Sequence, residues 1–420
     1  MTRLKLLLAV GGAATALGYA SLAFADTPAA GAAPAAPPPP PPPTAPPYPS
    51  MGPTLSNNTA SATFDAGPLG KLTVNGDISG MFMGQDNPGY NGWDGTKNPA
   101  GIFDFTNGMV TVQKTDGLVQ FVVQAGIYSF PALGTSYVKS TETPQATFGY
   151  APVGYVKLVP NSAFSFEVGQ LPTLIGAELP FTYQNANIER GLLWNTEPLI
   201  SRGVQGNYTN GPWAVSVSWN DGFYSGEYST ASGSVTYTFK SSDTLEFAGS
   251  GNFSTNFKCS VTTIFAGGED PETAIPCTTP FATPLALQEG QVYNVIYTHT
   301  KGPWTITPYV QFNNVPSSIV TPSGEIWAAA VIAKYSFNAQ WSLAGRAEYE
   351  GSTGKANLLY GPKSNAWSLT VTPTYQKGIF FARVEGSYMS IGSGTLGDEL
   401  GVLGNKSSQF RGLIETGLIF

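Results

Sequence analysis

Short and long connections alternate without exception along residues 70–420, and this alternation restricts the available folds more than any other feature of the chain. The short ones are Lys114-Thr115-Asp116-Gly117, Pro160-Asn161-Ser162, Asn210-Gly211-Pro212, Lys240-Ser241-Ser242-Asp243, Lys301-Gly302-Pro303, Phe337-Asn338-Ala339-Gln340 and Gln376-Lys377-Gly378. Asn-Gly and Lys-Gly supply the positive φ that tight hairpins require. Long connections fall near 84–104, 129–146, 171–200, 221–230, 255–288, 314–323, 351–364 and 391–407. Seven short turns and eight long loops imply sixteen antiparallel strands.

Between the connections, polarity alternates with period two. Trp213, Val215, Val217 and Trp219 alternate with Ser216, Ser218 and Asn220, and Trp367, Leu369, Val371 and Tyr375 share one parity of their segment. The best apolar run, Ile326 to Ala333, sits between Glu325 and Lys334 and falls far short of the roughly 20 residues of a spanning helix. An even strand number with tight turns at one end and long loops at the other predicts an all-β fold. It is a transmembrane antiparallel up-and-down β-barrel, with short periplasmic turns and long extracellular loops. Closure follows from the solvent, since an open sheet edge in lipid leaves backbone groups unpaired at a cost of several kcal/mol each.

Aromatic residues on the apolar parity form two sets. Tyr208, Trp213, Phe239, Tyr297, Trp304, Phe337, Trp341, Tyr375 and Phe380 flank the short turns, and Trp219, Phe253, Phe312, Trp327, Tyr349, Trp367, Tyr388 and Phe410 lie at the other strand ends. A separation of about eight to ten tilted residues spans roughly 20–25 Å, the height of an outer-membrane apolar band. The final run QFRGLIETGLIF places Phe410, Ile414, Leu418 and Phe420 on one parity and Arg411 and Glu415 on the other. It reads as a last strand that pairs with the strand beginning near Leu72. Phe420, Leu418 and Ile414 also resemble an assembly signal read by the barrel-assembly machinery.

Residues 1–25 carry Arg3 and Lys5, an apolar stretch from Leu6, and Ala23-Phe24-Ala25, the layout of a cleaved signal peptide that directs export. Residues 26–69, with the run Pro37 to Pro43, are expected to form a Pro/Ala-rich disordered periplasmic linker. Cys259 and Cys277 lie close together in a Pro/Thr-rich stretch and read as a disulfide in an oxidising compartment. The formal charge is −7, and loss of Arg3 and Lys5 leaves −9. An acidic exported chain of this kind excludes nucleic acid as a partner. With one histidine and both cysteines assigned to a disulfide, neither a metal nor another cofactor is expected.

The parity opposite the aromatics is polar. Arg346 with Glu348, Arg383 with Glu385, and Arg411 with Glu415 fall near the closing seam and face the lumen, either as the transverse field of a pore or as a solvated cross-strand ladder. The inward charges sum to a mild acidity, which leans toward cation preference.

The stretches Val168-Gly169-Gln170-Leu171-Pro172-Thr173-Leu174-Ile175-Gly176, Asn187-Ile188-Glu189-Arg190-Gly191, Ser201-Arg202-Gly203-Val204-Gln205 and Trp219-Asn220-Asp221-Gly222 resemble the OmpL-like putative β-barrel porin family (porin-2). Gln170 stands where that family has a lysine, so no charge is assigned to that position. The resemblance implies a bacterial outer-membrane porin, a water-filled channel for passive diffusion of small hydrophilic solutes or ions. The expected partners are outer-membrane lipid and lipopolysaccharide; a homotrimer is suggested only by analogy with sixteen-stranded diffusion channels, and the residues leave the oligomeric state open. The connection 171–200, which holds Glu178, Glu189, Arg190 and Glu197 with Arg202 just after it, occupies the place where general porins fold a loop inward. An outward, solvated loop is the alternative.

Two other functions compete with a channel: a non-conducting structural or adhesive barrel, and an outer-membrane phospholipase. His299 is the sole histidine and has no serine nucleophile motif near it, so no catalytic residues are assigned and the chain is not expected to be an enzyme.

Overall fold

The computed structural model describes residues 54–55, 61–91, 95–240, 243–254, 287–317 and 322–420. The expected signal peptide, the Pro37–Pro43 run, and Cys259 and Cys277 with their expected disulfide lie outside the described residues.

A short strand β1 (Ala62–Asp65) precedes β2 (Lys71–Gln85), β3 (Gly101–Lys114), β4 (Val119–Tyr128), β5 (Val153–Leu158), β6 (Phe164–Pro172), β7 (Ile200–Asn210), β8 (Trp213–Asn220) and β9 (Thr230–Thr238). There follow β10 (Thr244–Asn252), β11 (Gln291–Lys301), β12 (Trp304–Val315), β13 (Gly324–Ser336), β14 (Trp341–Gly354), β15 (Asn365–Lys377), β16 (Phe380–Ser393) and β17 (Ser408–Ile419). From β2 onward each strand pairs antiparallel with the next, and β17 returns to β2 with Ile419 opposite Asp77 and Arg411 opposite Gln85. The result is a closed barrel of sixteen strands, in which no edge is left for lipid to expose. Each connection falls where the turn and loop pattern of the sequence places it.

β1 is the departure from the sequence reading. Residues 62–65 belong to the stretch expected to be a disordered linker, yet they pair with β2, Ala62 opposite Val74 and Asp65 opposite Lys71. They do so because β17 pairs with β2 over Asp77–Gln85 alone, and β1 takes up the edge of β2 at Lys71–Val74. The Gly67–Leu69 turn, closed by a hydrogen bond from the Gly70 N–H to the Gly67 carbonyl, brings β1 back onto that edge.

The two faces of each strand divide as the alternation requires. In β15, Ala366, Ser368, Thr370, Thr372 and Thr374 are buried inside, whereas Trp367, Leu369 and Val371 are 40 %, 52 % and 51 % exposed on the outside. The outer aromatics pair across strands at both ends of the apolar band. Trp213 with Tyr237, Trp304 with Tyr335 and Trp341 with Tyr375 lie 4.7, 4.7 and 5.0 Å apart near the short turns. Phe312 with Trp327 and Phe82 with Phe103 lie 4.2 and 4.6 Å apart near the long loops. These residues sit directly opposite one another in the strand registers, so each ring packs on its neighbour. Each such pair contributes about 0.5–1.5 kcal/mol beyond its area burial.

The packed core lies within the barrel. The connections 129–152 and 173–199 meet there in an aromatic cluster, with Phe130 5.9 Å from both Phe181 and Trp194, and Tyr128 5.3 Å from Phe181. Tyr128, Phe130, Phe148, Phe181 and Trp194 are all buried.

The seam carries a specific fit. Phe420 donates its N–H to the Gly76 carbonyl at 2.9 Å and accepts the Gly76 N–H at 2.6 Å. A Cβ at Gly76 would overlap the Phe420 ring, so the glycine gives the ring its seat on the lipid side. Gly76→Val is expected to lower the temperature at which the barrel loses its compact mobility on semi-native gels. Gly386→Ala, whose added Cβ meets nothing within 4 Å, should leave that temperature unchanged.

Candidate functional site in the barrel lumen

The connection 173–199 folds inward and crosses the lumen. On one side, Gln124 of β4 donates its Nε2 to the Tyr183 hydroxyl at 2.6 Å. On the other, Gln311 of β12 donates to Thr196 Oγ1 at 2.7 Å and Asn313 of β12 to the Thr196 carbonyl at 3.0 Å. β4 and β12 stand eight places apart in a ring of sixteen and therefore on opposite walls. The loop is a strut between them.

Between these contacts, the wall formed by β14 to β17 holds the loop through charge. Glu385 accepts the backbone N–H groups of Ile188 at 2.5 Å and Glu189 at 2.8 Å. Arg346 Nη1 reaches Glu178 Oε1 at 2.6 Å and the Glu189 carbonyl at 2.7 Å, and its Nε donates to Glu348 at 3.0 Å. Arg411 pairs with Glu189 at 2.7 Å, while Ser387 donates to the other oxygen of Glu189 at 2.6 Å. Arg383 joins Glu415, directly opposite on β17, at 2.5 Å and donates to the Asn185 carbonyl at 2.8 Å. Thr182 completes the set by donating to Glu415 at 2.7 Å.

Each arginine in this belt thus bridges wall and loop, and the wall carboxylates Glu385 and Glu415 each spend an oxygen on a loop donor, whereas Glu348 accepts from Arg346 and Ser368 of the wall. Arg346, Arg383, Arg411, Glu189, Glu385 and Glu415 are no more than 2 % exposed. Sequestered charges of this kind hold position only while paired, because a lone buried charge carries its full desolvation cost.

The second inward connection locks the first. The Arg190 N–H donates to the Pro131 carbonyl and the Leu133 N–H to the Arg190 carbonyl, at 3.0 Å each, and Arg411 donates to the Ala132 carbonyl at 2.7 Å and to the Thr135 carbonyl. Gly191 permits the closest approach, since a Cβ there would overlap the Glu348 carboxylate. The loop N–H of Gly191 donates to Glu178 at 2.8 Å.

The candidates named from sequence fall into three placements. Glu178, Glu189, Arg346, Glu348, Arg383, Glu385, Arg411 and Glu415 come together in the belt, but with partners that linear spacing does not reveal. Arg383 pairs with Glu415, whereas Glu385 and Arg411 turn to the loop. Arg190 and Glu197 are buried in the same loop, and neither the Arg190 guanidinium nor the Glu197 carboxylate has a hydrogen-bond partner among the described residues. Arg202 stands apart at the rim, on the parity of the exposed Val204. It binds Asp221 at 2.7 Å and lies 3.9 Å from the Tyr224 ring centre.

Burial pushes the Glu197 carboxyl well above the ordinary carboxylate range, and repulsion from Glu178 and Glu348 adds to it. The neutral amides Asn294, Gln311 and Asn313, which also hold the loop, were not singled out in the sequence. Their inward parity was the available signal. His299 sits at the short-turn end of β11 with Nδ1 2.9 Å from Asp243, whose other oxygen accepts the Tyr297 hydroxyl at 2.8 Å.

The sequence model of the family described as Putative beta-barrel porin-2, OmpL-like, matches residues 71–420. The chain belongs to this family. The match covers every strand of the closed barrel, β2 to β17, so the family assignment and the barrel rest on the same residues. No curated protein matches the sequence of this porin-2 family member. Among solved structures, OmpT of Vibrio cholerae aligns over 83 % of this chain and 98 % of its own at 13 % identity and a TM-score of 0.56. An anion-selective porin from Comamonas acidovorans aligns over 83 % and 99 % at 9 % identity and a TM-score of 0.52. The outer-membrane channel DcaP of Acinetobacter baumannii aligns over 83 % and 97 % at 10 % identity and a TM-score of 0.52. At such identities the likeness is one of fold. The porin-2 barrel is an outer-membrane barrel of that architecture.

Two outcomes follow from these placements. Arg411→Met leaves Glu189 buried with no cation, a change that costs roughly 3–5 kcal/mol. The loop should then become cleavable by added protease in an otherwise folded barrel. Because the Glu197 pKa is raised, its contribution to loop packing is fully present in acid and is lost as pH rises from the ordinary carboxylate range through the raised value. Hydrogen exchange of residues 173–199, corrected for intrinsic rate, should therefore show more opening at high pH, and Glu197→Gln should flatten that dependence.

Proposed function

We propose that this porin-2 barrel is a channel for passive diffusion of small hydrophilic solutes, with the connection 173–199 as its constriction. The observation that carries this reading is the loop's span between the opposite walls β4 and β12 at the level of a polar lumen belt. A loop held to two opposite walls and along a third sets a passage by position, as a constriction must, while the charged belt imposes a fixed field on what passes. Family membership supports the same reading.

The full burial of the belt arginines favours a second reading, a non-conducting structural barrel whose lumen the loop closes. Purified protein in a planar bilayer separates the two. Stepwise conductance is expected for the channel, and its reversal potential in a salt gradient gives the ion preference. A folded, heat-modifiable barrel that inserts and yields no steps would establish the closed reading.

A further inference from the structure

Leu55 lies inside the barrel at its short-turn end, beside the exposed Thr54. Leu55 is 2 % exposed and packs with Phe381 and Ile419, and Tyr183 of the inward loop packs against the same cluster. Phe381 is the second residue of β16 after the short turn and Ile419 closes β17. Phe381 and Ile419 share the lumen-facing parity of Arg383 and Glu415, one step below the charged belt, and all of them are buried. Lys334 of β13, on the parity of the buried Ala330 and Ile332, donates its Nζ to the Thr54 carbonyl at 2.6 Å. The hold thus reaches from β13 on one side to β16 and β17 on the other, with the tip of the loop above it.

We propose that the Thr54–Leu55 segment is a built-in plug of the short-turn mouth, which closes the route below the loop and opens it on release. This rests on the channel reading above. Three features support reversibility. Among the described residues the hold consists of one leucine side chain and one amine–carbonyl contact, fewer than the hydrogen bonds and ion pairs that fix the loop. The segment is tethered, since Leu55 lies seven residues upstream of β1, so release and return are intramolecular and a weak contact suffices. Its apolar anchor touches both wall and loop through Tyr183, so withdrawal uncovers the Tyr183 side of the loop while the belt still holds it. Leu55, Phe381 and Ile419 form a small apolar patch in which Leu55 is the occupant from the chain's own upstream segment.

The test compares unitary conductance and open fraction in planar bilayers for wild type, Leu55→Asp and Leu55→Met, each first shown to be heat-modifiable. Leu55→Asp places an unpaired charge against Phe381 and Ile419 and should give unitary steps or an open fraction at least about twofold above wild type, with Leu55→Met close to wild type. The same conductance and open fraction in all three proteins overturns the plug while the channel reading stands. Absence of steps in all three overturns the channel reading, and the plug with it.

Discussion

Every backbone N–H and C=O that lies at membrane depth must find its partner within the protein, and the architecture of this chain descends from that requirement. It explains the return of β17 to β2, which leaves the ring without an edge. It explains the division of labour within each strand, since a closed sheet has one face in lipid and one in the lumen. It also explains the length asymmetry of the connections. Short turns need only reverse the chain, whereas a lumen about sixteen strands around leaves room that the long connections can fill.

The filling is the distinctive part. Two connections meet inside the barrel through an aromatic cluster, and one of them is tied to the wall by three arginines and their carboxylates. The apolar cluster supplies non-directional burial; the charged belt fixes register. Removing one member of such a belt is more damaging than its share of hydrogen bonds suggests, because the partner stays behind as an uncompensated buried charge. That reasoning also accounts for small hydroxyls on the wall, since Ser368, Thr372 and Ser387 donate to Glu348, Glu385 and Glu189.

The barrel was legible in the sequence because two-residue alternation and turn chemistry are local signals. The turn at Asn210-Gly211, with Gly211 at φ +57°, lies between β7 and β8 as its residues require. The pairings inside the lumen were not legible. Arg411 and Glu189 are separated by more than 200 positions, and nothing in the spacing of Arg411 from Glu415 announces that the nearer acid is taken by Arg383. β1 escaped notice because four residues, flanked by a Pro/Ala-rich stretch, carry too little pattern to stand out; it forms only because β2 outruns β17. Arg202 looked like part of the loop charge group by proximity in sequence, but parity sends it to the opposite face from Glu189 and its partners.

The central claim is that residues 173–199 cross the lumen and are held against the wall. Asn187 Nδ2 donates to Thr372 Oγ1 at 2.7 Å, so loop and β15 touch there. In a chain with Cys259 and Cys277 replaced by serine, Asn187→Cys and Thr372→Cys together should cross-link on mild oxidation of the folded barrel in membranes. Residue 187 should also resist a bulky, membrane-impermeant thiol reagent. A folded barrel in which the pair does not cross-link and residue 187 labels readily from outside would place the loop in solvent and contradict the account.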